Sequence, residues 1–348
     1  MTSLAPVRLG LIGSGSIGGF HAESVARRVP GAELAAIADP APGAADRVAR
    51  ALGVDRTYTD VADLIADDSI DGVVICSPAF THTDLVVAAA AAGKAVFVEK
   101  PMALTLADAD RAIAAAAAAG VPLQVGFNRR YSADFAAAHR IVSAGGIGTP
   151  QLLRSLTRDP GPWPADPASV RPWTIFFETL IHDFDTLNWL NQGARAVNVY
   201  AAADALVAPD FKHSGLLDTA IVTITYDNGA IATAEASFSA LYGYDIRGEV
   251  FGSAGMVTAG DVRTTSLRHF TSTGQHADTT RANVDLFAQA YTDELAAFAD
   301  SVRTGILTGP SGEDAKAALV IALACIESHR TGAPVAVAQD HSDVGSAL

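Results

Sequence analysis

The chain has 348 residues, 49% of them apolar, and a formal net charge of -14. At roughly 150 residues per domain this length predicts two domains, and the excess negative charge argues against nucleic acid or an anionic membrane surface as partner. Cys76 and Cys325, the only cysteines, stand in apolar contexts outside any CxxC pair, so neither a disulfide framework nor a metal centre is expected.

From Val7 to Phe127, short apolar runs alternate with helical patterns. Val7 to Ile12, Leu34 to Ala38, Gly72 to Cys76, Ala95 to Val98 and Leu123 to Gly126 read as buried strands. Helices are expected over Ile17 to Arg28, Gly43 to Leu52, Val61 to Ala66, Thr83 to Ala92 and Leu106 to Ala119, the last capped by Thr105 three residues before Asp108. This alternation predicts a parallel, doubly wound α/β sheet. No leader pattern occurs over Met1 to Pro6. The alanine-rich runs Val86 to Ala92 and Ile113 to Ala119 fall short of the roughly 20 residues that span a bilayer. The expectation is a cytoplasmic protein that acts on a small molecule.

Beyond Phe127 the pattern changes. A helix over Asp134 to Ser143, a strand over Gln151 to Thr157 and a helix over about Thr179 to Leu190 are expected. Asp218 to Tyr226 alternates Ala220, Val222, Ile224 and Tyr226 against Thr219, Thr223 and Thr225. Asn228-Gly229 then turns the chain into Ala230 to Ser239, a hairpin signature with one open face. Helices over about Leu286 to Val302 and Glu313 to Thr331 complete the chain. The expected division is residues 1-127, a Rossmann domain, and residues 128-348, an α+β domain with a largely antiparallel open sheet. The proline-rich loop from Asp159 to Pro172, with Trp163 inside it, reads equally as a pocket wall or as a surface crossing.

Three motifs carry chemistry. Gly13-Ser14-Gly15-Ser16-Ile17-Gly18 follows the first strand and opens a helix, so its glycines permit close approach of a pyrophosphate to the helix N-terminus. Asp39, at the end of the second strand, has the spacing of a carboxylate that binds ribose hydroxyls and repels a 2′-phosphate, which favours NAD over NADP. Glu99-Lys100-Pro101 ends the strand Ala95 to Val98 and places an amine where open α/β sheets bind ligands. Lys100 there can favour an alkoxide-like oxygen, although an exposed surface pair is the other reading. Finally, Glu178, His182 and Asp185 fall at i, i+4 and i+7 of a helix. That spacing suits a general base with a carboxylate beside it, and equally a plain surface pair.

Together these residues resemble the Gfo/Idh/MocA oxidoreductases, and within them the inositol 2-dehydrogenases. The resemblance runs through GSGSIGGFH, Asp39, Ser77-Pro78 with His82, Glu99-Lys100-Pro101, the stretch Gly126 to Tyr131, the helix Thr179 to His182 with Asp185 and Trp189, and Tyr242 to Asp245. It implies NAD contacts from Gly13, Gly15, Ser16, Ile17, Gly18, Asp39, Ser77, His82, Glu99 and Lys100. It also implies substrate contacts from Arg130, Asp159, Trp163, Glu178, His182, Tyr242 and Tyr244. Lys100 would polarise a secondary hydroxyl of a cyclic polyol or sugar and His182, with Glu178, would take its proton. A homotetramer built through the second sheet is implied as well. Two departures stand out: Glu178 replaces the usual Asp, and Thr157-Arg158-Asp159 replaces His-Arg-Asn. Keto-sugar reduction, NAD-dependent glycoside cleavage and a non-catalytic NAD sensor are the alternatives.

Overall fold

The computed structural model describes residues 5–161 and 170–337, which leaves Trp163 outside the described residues. The chain divides into two compact units, 1–131 with 288–316, and 132–287 with 317–348. The expected cut at Phe127 therefore falls close to the first crossing, but the sequence reading did not anticipate that a later segment returns to the first unit.

The first unit alternates β1 (Val7–Ile12), α1 (Ser16–Arg27), β2 (Ala32–Ala38), α2 (Ala44–Leu52), β3 (Thr57–Tyr58), α3 (Val61–Ala66), β4 (Gly72–Ile75), α4 (His82–Ala91), β5 (Ala95–Glu99), α5 (Leu106–Ala119) and β6 (Leu123–Gly126). The six strands run parallel in the order β3-β2-β1-β4-β5-β6. β4 and β5 are buried at every residue, as expected of parallel strands covered on both faces. Thr105 caps α5 by accepting the Asp108 amide at 3.1 Å.

The returning segment is α9 (Ala288–Thr304). Leu295, Phe298 and Ala299 repeat at helical spacing, are almost completely buried, and join the core made by Leu9, Leu11, Val25 and Phe97. The Phe97 and Phe298 rings lie 5.8 Å apart and tilted by 59°. This apolar stripe holds α9 in the first unit.

The second unit contains α6 (Ala133–Ser143), β7 (Pro150–Arg158), α7 (Leu180–Leu190), β8 (Ala196–Asp204), β9 (Thr219–Tyr226), β10 (Ile231–Ser237), β11 (Asp245–Gly252) and β12 (Gly255–Ala259). A small hairpin of β13 (Arg268–Thr271) and β14 (Gly274–Ala277), the short α8 (Asn283–Leu286), most of α10 (Gly312–Thr331) and β15 (Val335–Ala336) follow. The main sheet runs β12-β11-β7-β10-β9-β8-β15. Its β7/β10 pair is parallel and the other pairs are antiparallel. The predicted hairpin is present as β9/β10, with Ala220, Val222, Ile224 and Tyr226 facing inward.

Strands β8 and β11 were not expected from sequence, and their composition explains why. β8 ends in Ala201-Ala202-Ala203-Asp204 and β11 contains Gly248, residues of low strand propensity. Gly248 is there for packing: a Cβ would stand 2.9 Å from the Phe135 ring of α6.

Candidate functional site

The loop after β1 is shaped by its glycines. Gly13 has φ +91°, and a Cβ there would lie 2.7 Å from the Ser77 amide nitrogen. At Gly18 a Cβ would meet the Gly13 carbonyl oxygen at 2.0 Å, so α1 can approach the strand this closely only without one. At Gly15 a Cβ would meet nothing within 4 Å, and no side chain caps the N-terminus of α1. Open space in front of free amides, held by a tight turn, fits a dinucleotide pyrophosphate. Ser16 and Ile17 form the first turn of that helix.

Asp39 stands at the end of β2. Its Oδ2 accepts the Ser14 amide and hydroxyl, both at 2.7 Å, and Oδ1 accepts the Ala41 amide at 2.9 Å. Burial opposes its ionisation, but the Ser14 and Ala41 hydrogen bonds and the Arg47 charge outweigh it and hold the carboxyl below its usual range. Of about four acceptor positions on a carboxylate, three are filled, which leaves room for a ribose hydroxyl.

Lys100 is half-buried at the end of β5, and the Lys100-Pro101 bond is cis. Glu99 points inward: Oε1 lies 2.7 Å from His21 Nε2, and Oε2 accepts the Lys100 amide at 3.2 Å. Burial works against its charge, but the His21 contact and the Lys100 and His82 charges prevail and lower its pKa. Glu99 thus supports the loop from within and is only 7% exposed.

His82 is also tied into the protein. Its Nδ1 lies 2.9 Å from the Pro101 carbonyl oxygen and its Nε2 2.8 Å from the Ser77 carbonyl oxygen. The ring fastens the Ser77 loop to the loop after β5. Ser77 Oγ lies 2.6 Å from Thr81 Oγ1. Arg130 is 12% exposed and ion-paired with Asp314 at 3.0 Å, a partner 184 positions on that no local pattern could reveal.

In the second unit, a π turn over Ile175–Thr179 precedes α7. Glu178 lies in that turn and His182 in the first turn of α7, so the regular i, i+4 helical spacing assumed from sequence is interrupted between them. Such turns recur at functional sites. Asp183, not singled out from sequence, anchors α7 to the sheet by accepting the Ser155 hydroxyl at 2.5 Å and the Thr157 hydroxyl at 2.6 Å.

Strand alternation separates the two tyrosine candidates. Ser155 and Thr157 face α7, whereas Leu152, Arg154 and Arg158 face the other side of β7. Tyr242 belongs with that other side. Its hydroxyl donates to Asp245 Oδ2 at 2.9 Å, and it lines a cavity of about 530 Å³ with Arg154, Arg158, Asp245 and Arg247. Its hydroxyl thus lies with the arginines of the open sheet face. Tyr244 stays near Asp159, and burial followed by the Asp159 charge pushes its hydroxyl up to about 12. It is a hydrogen-bond donor at neutral pH.

The glycine turn, the ionised Asp39 and the strand-end Lys100 define an NAD-dependent oxidoreductase. Residues 7–127 match the family model described as oxidoreductase family, NAD-binding Rossmann fold, and residues 154–337 match its C-terminal alpha/beta domain. The chain belongs to the Gfo/Idh/MocA oxidoreductase family. It is 38% identical to the myo-inositol 2-dehydrogenase of Thermotoga maritima, over 92% of this chain and 96% of that protein. It is 36% identical to the scyllo-inositol 2-dehydrogenase (NAD(+)) of Bacillus subtilis, over 94% of this chain and 96% of that protein. The crystal structure of scyllo-inositol dehydrogenase from Lactobacillus casei with bound NAD(H) and scyllo-inositol matches with a TM-score of 0.89 at 27% identity, covering 95% of this chain and 99% of that one.

Proposed function

We propose that the protein oxidises a secondary hydroxyl of a cyclic polyol, of the inositol type, to a ketone with NAD as acceptor. The observation that carries this reading is Lys100, a half-buried amine at the end of β5, on the same parallel sheet as the dinucleotide turn after β1. The inositol dehydrogenases among its relatives support the substrate class.

NAD, when bound, accepts the hydride. Lys100 donates a hydrogen bond to the substrate oxygen, and its charge favours the alkoxide that develops as hydride leaves the carbon. His182 takes the hydroxyl proton and Glu178 orients its ring. Asp159, Arg130 and Tyr244 are the substrate contacts, with the Tyr244 hydroxyl as donor. Replacing Lys100 or His182 with Ala is expected to lower kcat by roughly 100-fold or more, with NAD binding retained. Turnover near wild type in both variants contradicts this assignment.

The subunits assemble, in this reading, as a homotetramer through the open sheet face. Leu152, Tyr200, Ile221, Ile231, Phe251 and Met256 are all exposed, an apolar surface that a partner copy would cover. A single-subunit mass by light scattering would remove the tetramer. Among the described residues no helix is long and apolar enough to cross a membrane.

A further inference from the structure

Next to Lys100, three ionisable side chains meet inside the first unit. His21 on α1, Glu99 at the end of β5 and Glu294 on α9 each place a ring nitrogen or carboxylate oxygen within 4.8 Å of the others. His21 and Glu294 are 0% exposed. The His21 to Glu99 contact and the Lys100 amide account for Glu99. Both oxygens of Glu294 and Nδ1 of His21 have no hydrogen-bond partner among the described residues.

The surroundings offer little to balance a second negative charge. The rings of Phe97 and Tyr291 stand edge-on to His21, each with centroids 5.6 Å away. Burial of Cys76, then the Glu99 and Glu294 charges, push its thiol up, so it stays neutral. Lys100 and His82 also act to lower the Glu99 pKa. Gln124 Nε2 donates to the Glu294 main-chain carbonyl at 2.8 Å and leaves the carboxyl untouched. One carboxylate is compensated by these contacts, and a second bare one in a buried, aromatic-walled site carries a prohibitive desolvation penalty.

We propose that Glu294 is a protonated carboxylic acid whose O–H is aimed at the Glu99 carboxylate, making Glu294 a positioning residue for Glu99 and, through it, for the Lys100 main chain. The catalytic consequence rests on the role given to Lys100; the protonation state does not. Burial first, then the Glu99 charge, moves the Glu294 carboxyl well above its ordinary range, while Glu99 moves below its own. Two neighbouring acids driven apart in this way share one proton.

The test compares unfolding of the wild type and Glu294→Gln, whose amide keeps the shape and one donor without the titration. An acid that stays neutral in the fold but ionises in the unfolded chain contributes stability that is complete below its unfolded pKa and lost as pH rises. The wild-type unfolding constant, divided by that of Glu294→Gln, is therefore expected to rise roughly tenfold per pH unit above the unfolded carboxyl value. A ratio that does not change with pH overturns the protonated state. Loss of wild-type stability on dialysis against a chelator, absent in Glu294→Gln, assigns the charge balance to a bound cation and overturns it too.

The positioning role has its own readout. Glu294→Gln should keep kcat, whereas Glu294→Met, which has no donor, should lower kcat roughly tenfold at unchanged KM for NAD. Unchanged kcat in Glu294→Met removes the positioning role, and the unfolding ratio decides the protonation state even where that variant does not fold. If Lys100→Ala proves active, the Lys100 mechanism fails while the unfolding ratio still stands or falls by itself.

Discussion

Ser14 gives both its amide and its hydroxyl to Asp39, each 2.7 Å from the same carboxylate oxygen. The first turn and the second strand are thereby locked together, and Asp39 stays charged where the adenosine ribose is expected. A negative charge at that place would disfavour a 2′-phosphate. Asp39→Ala should raise KM for NAD by about 10-fold or more, from the loss of a charge-assisted hydrogen bond, and should narrow the preference over NADP. Steady-state kinetics with both cofactors check this, and an unchanged NAD to NADP ratio contradicts it.

Asp183 holds α7 to β7 through Ser155 and Thr157. Asp183→Ala removes two buried charge-assisted hydrogen bonds and is expected to cost about 3 kcal/mol in denaturant unfolding. Because the neighbouring residue is His182, kcat should fall further than KM rises. A stable variant with normal kcat would show that this anchor does not position the helix.

Phe298 tests the unexpected return of the chain to the first unit. Its ring is fully buried against the Rossmann core, so Phe298→Ala should destabilise that unit by about 3–5 kcal/mol. Hydrogen exchange localises the effect: β1 and β5 amides should lose protection. Loss confined to the second unit would contradict the placement of α9.

Asp67 gives a pH dependence. The Ser69 hydroxyl is the main cause of its lowered pKa, and despite opposition from burial the Ser69 amide, Tyr58 and Arg56 help bring it from 3.8 to about 2. A carboxyl depressed in the fold contributes stability that is complete above its unfolded pKa and lost as pH falls through the folded value. Asp67→Asn should therefore cost about 1 kcal/mol at neutral pH, after solvent screening, and progressively less as pH falls from 3.8 toward 2. A cost that is constant with pH would contradict the assignment.

Much of the first unit was legible because local signals agree there. Continuous apolar runs mark β4 and β5, Thr105 marks the start of α5, and the glycine spacing marks the turn between β1 and α1. The second unit was partly legible: alternation and Asn228-Gly229 identify β9 and β10, while β8 and β11 hide behind alanine and glycine. What sequence could not show are pairings set by tertiary packing. His21 finds Glu99 78 positions away, Asp183 finds Ser155, Arg130 finds Asp314, and α9 returns to the first core. The same limit applies to the surroundings of the candidate residues. Glu99 and His82 are turned inward onto His21 and two main-chain carbonyls, and Tyr242 and Tyr244 are two residues apart in environments that only the sheet distinguishes.

The most direct measurement follows NADH formation by the purified protein with NAD and a panel of inositol stereoisomers, pyranoses and alkyl glycosides. The account predicts NADH with one stereochemical set of cyclic polyols, abolished by Lys100→Ala while NAD still binds. No NADH from any cyclic polyol, with NAD bound, would contradict the proposed oxidation.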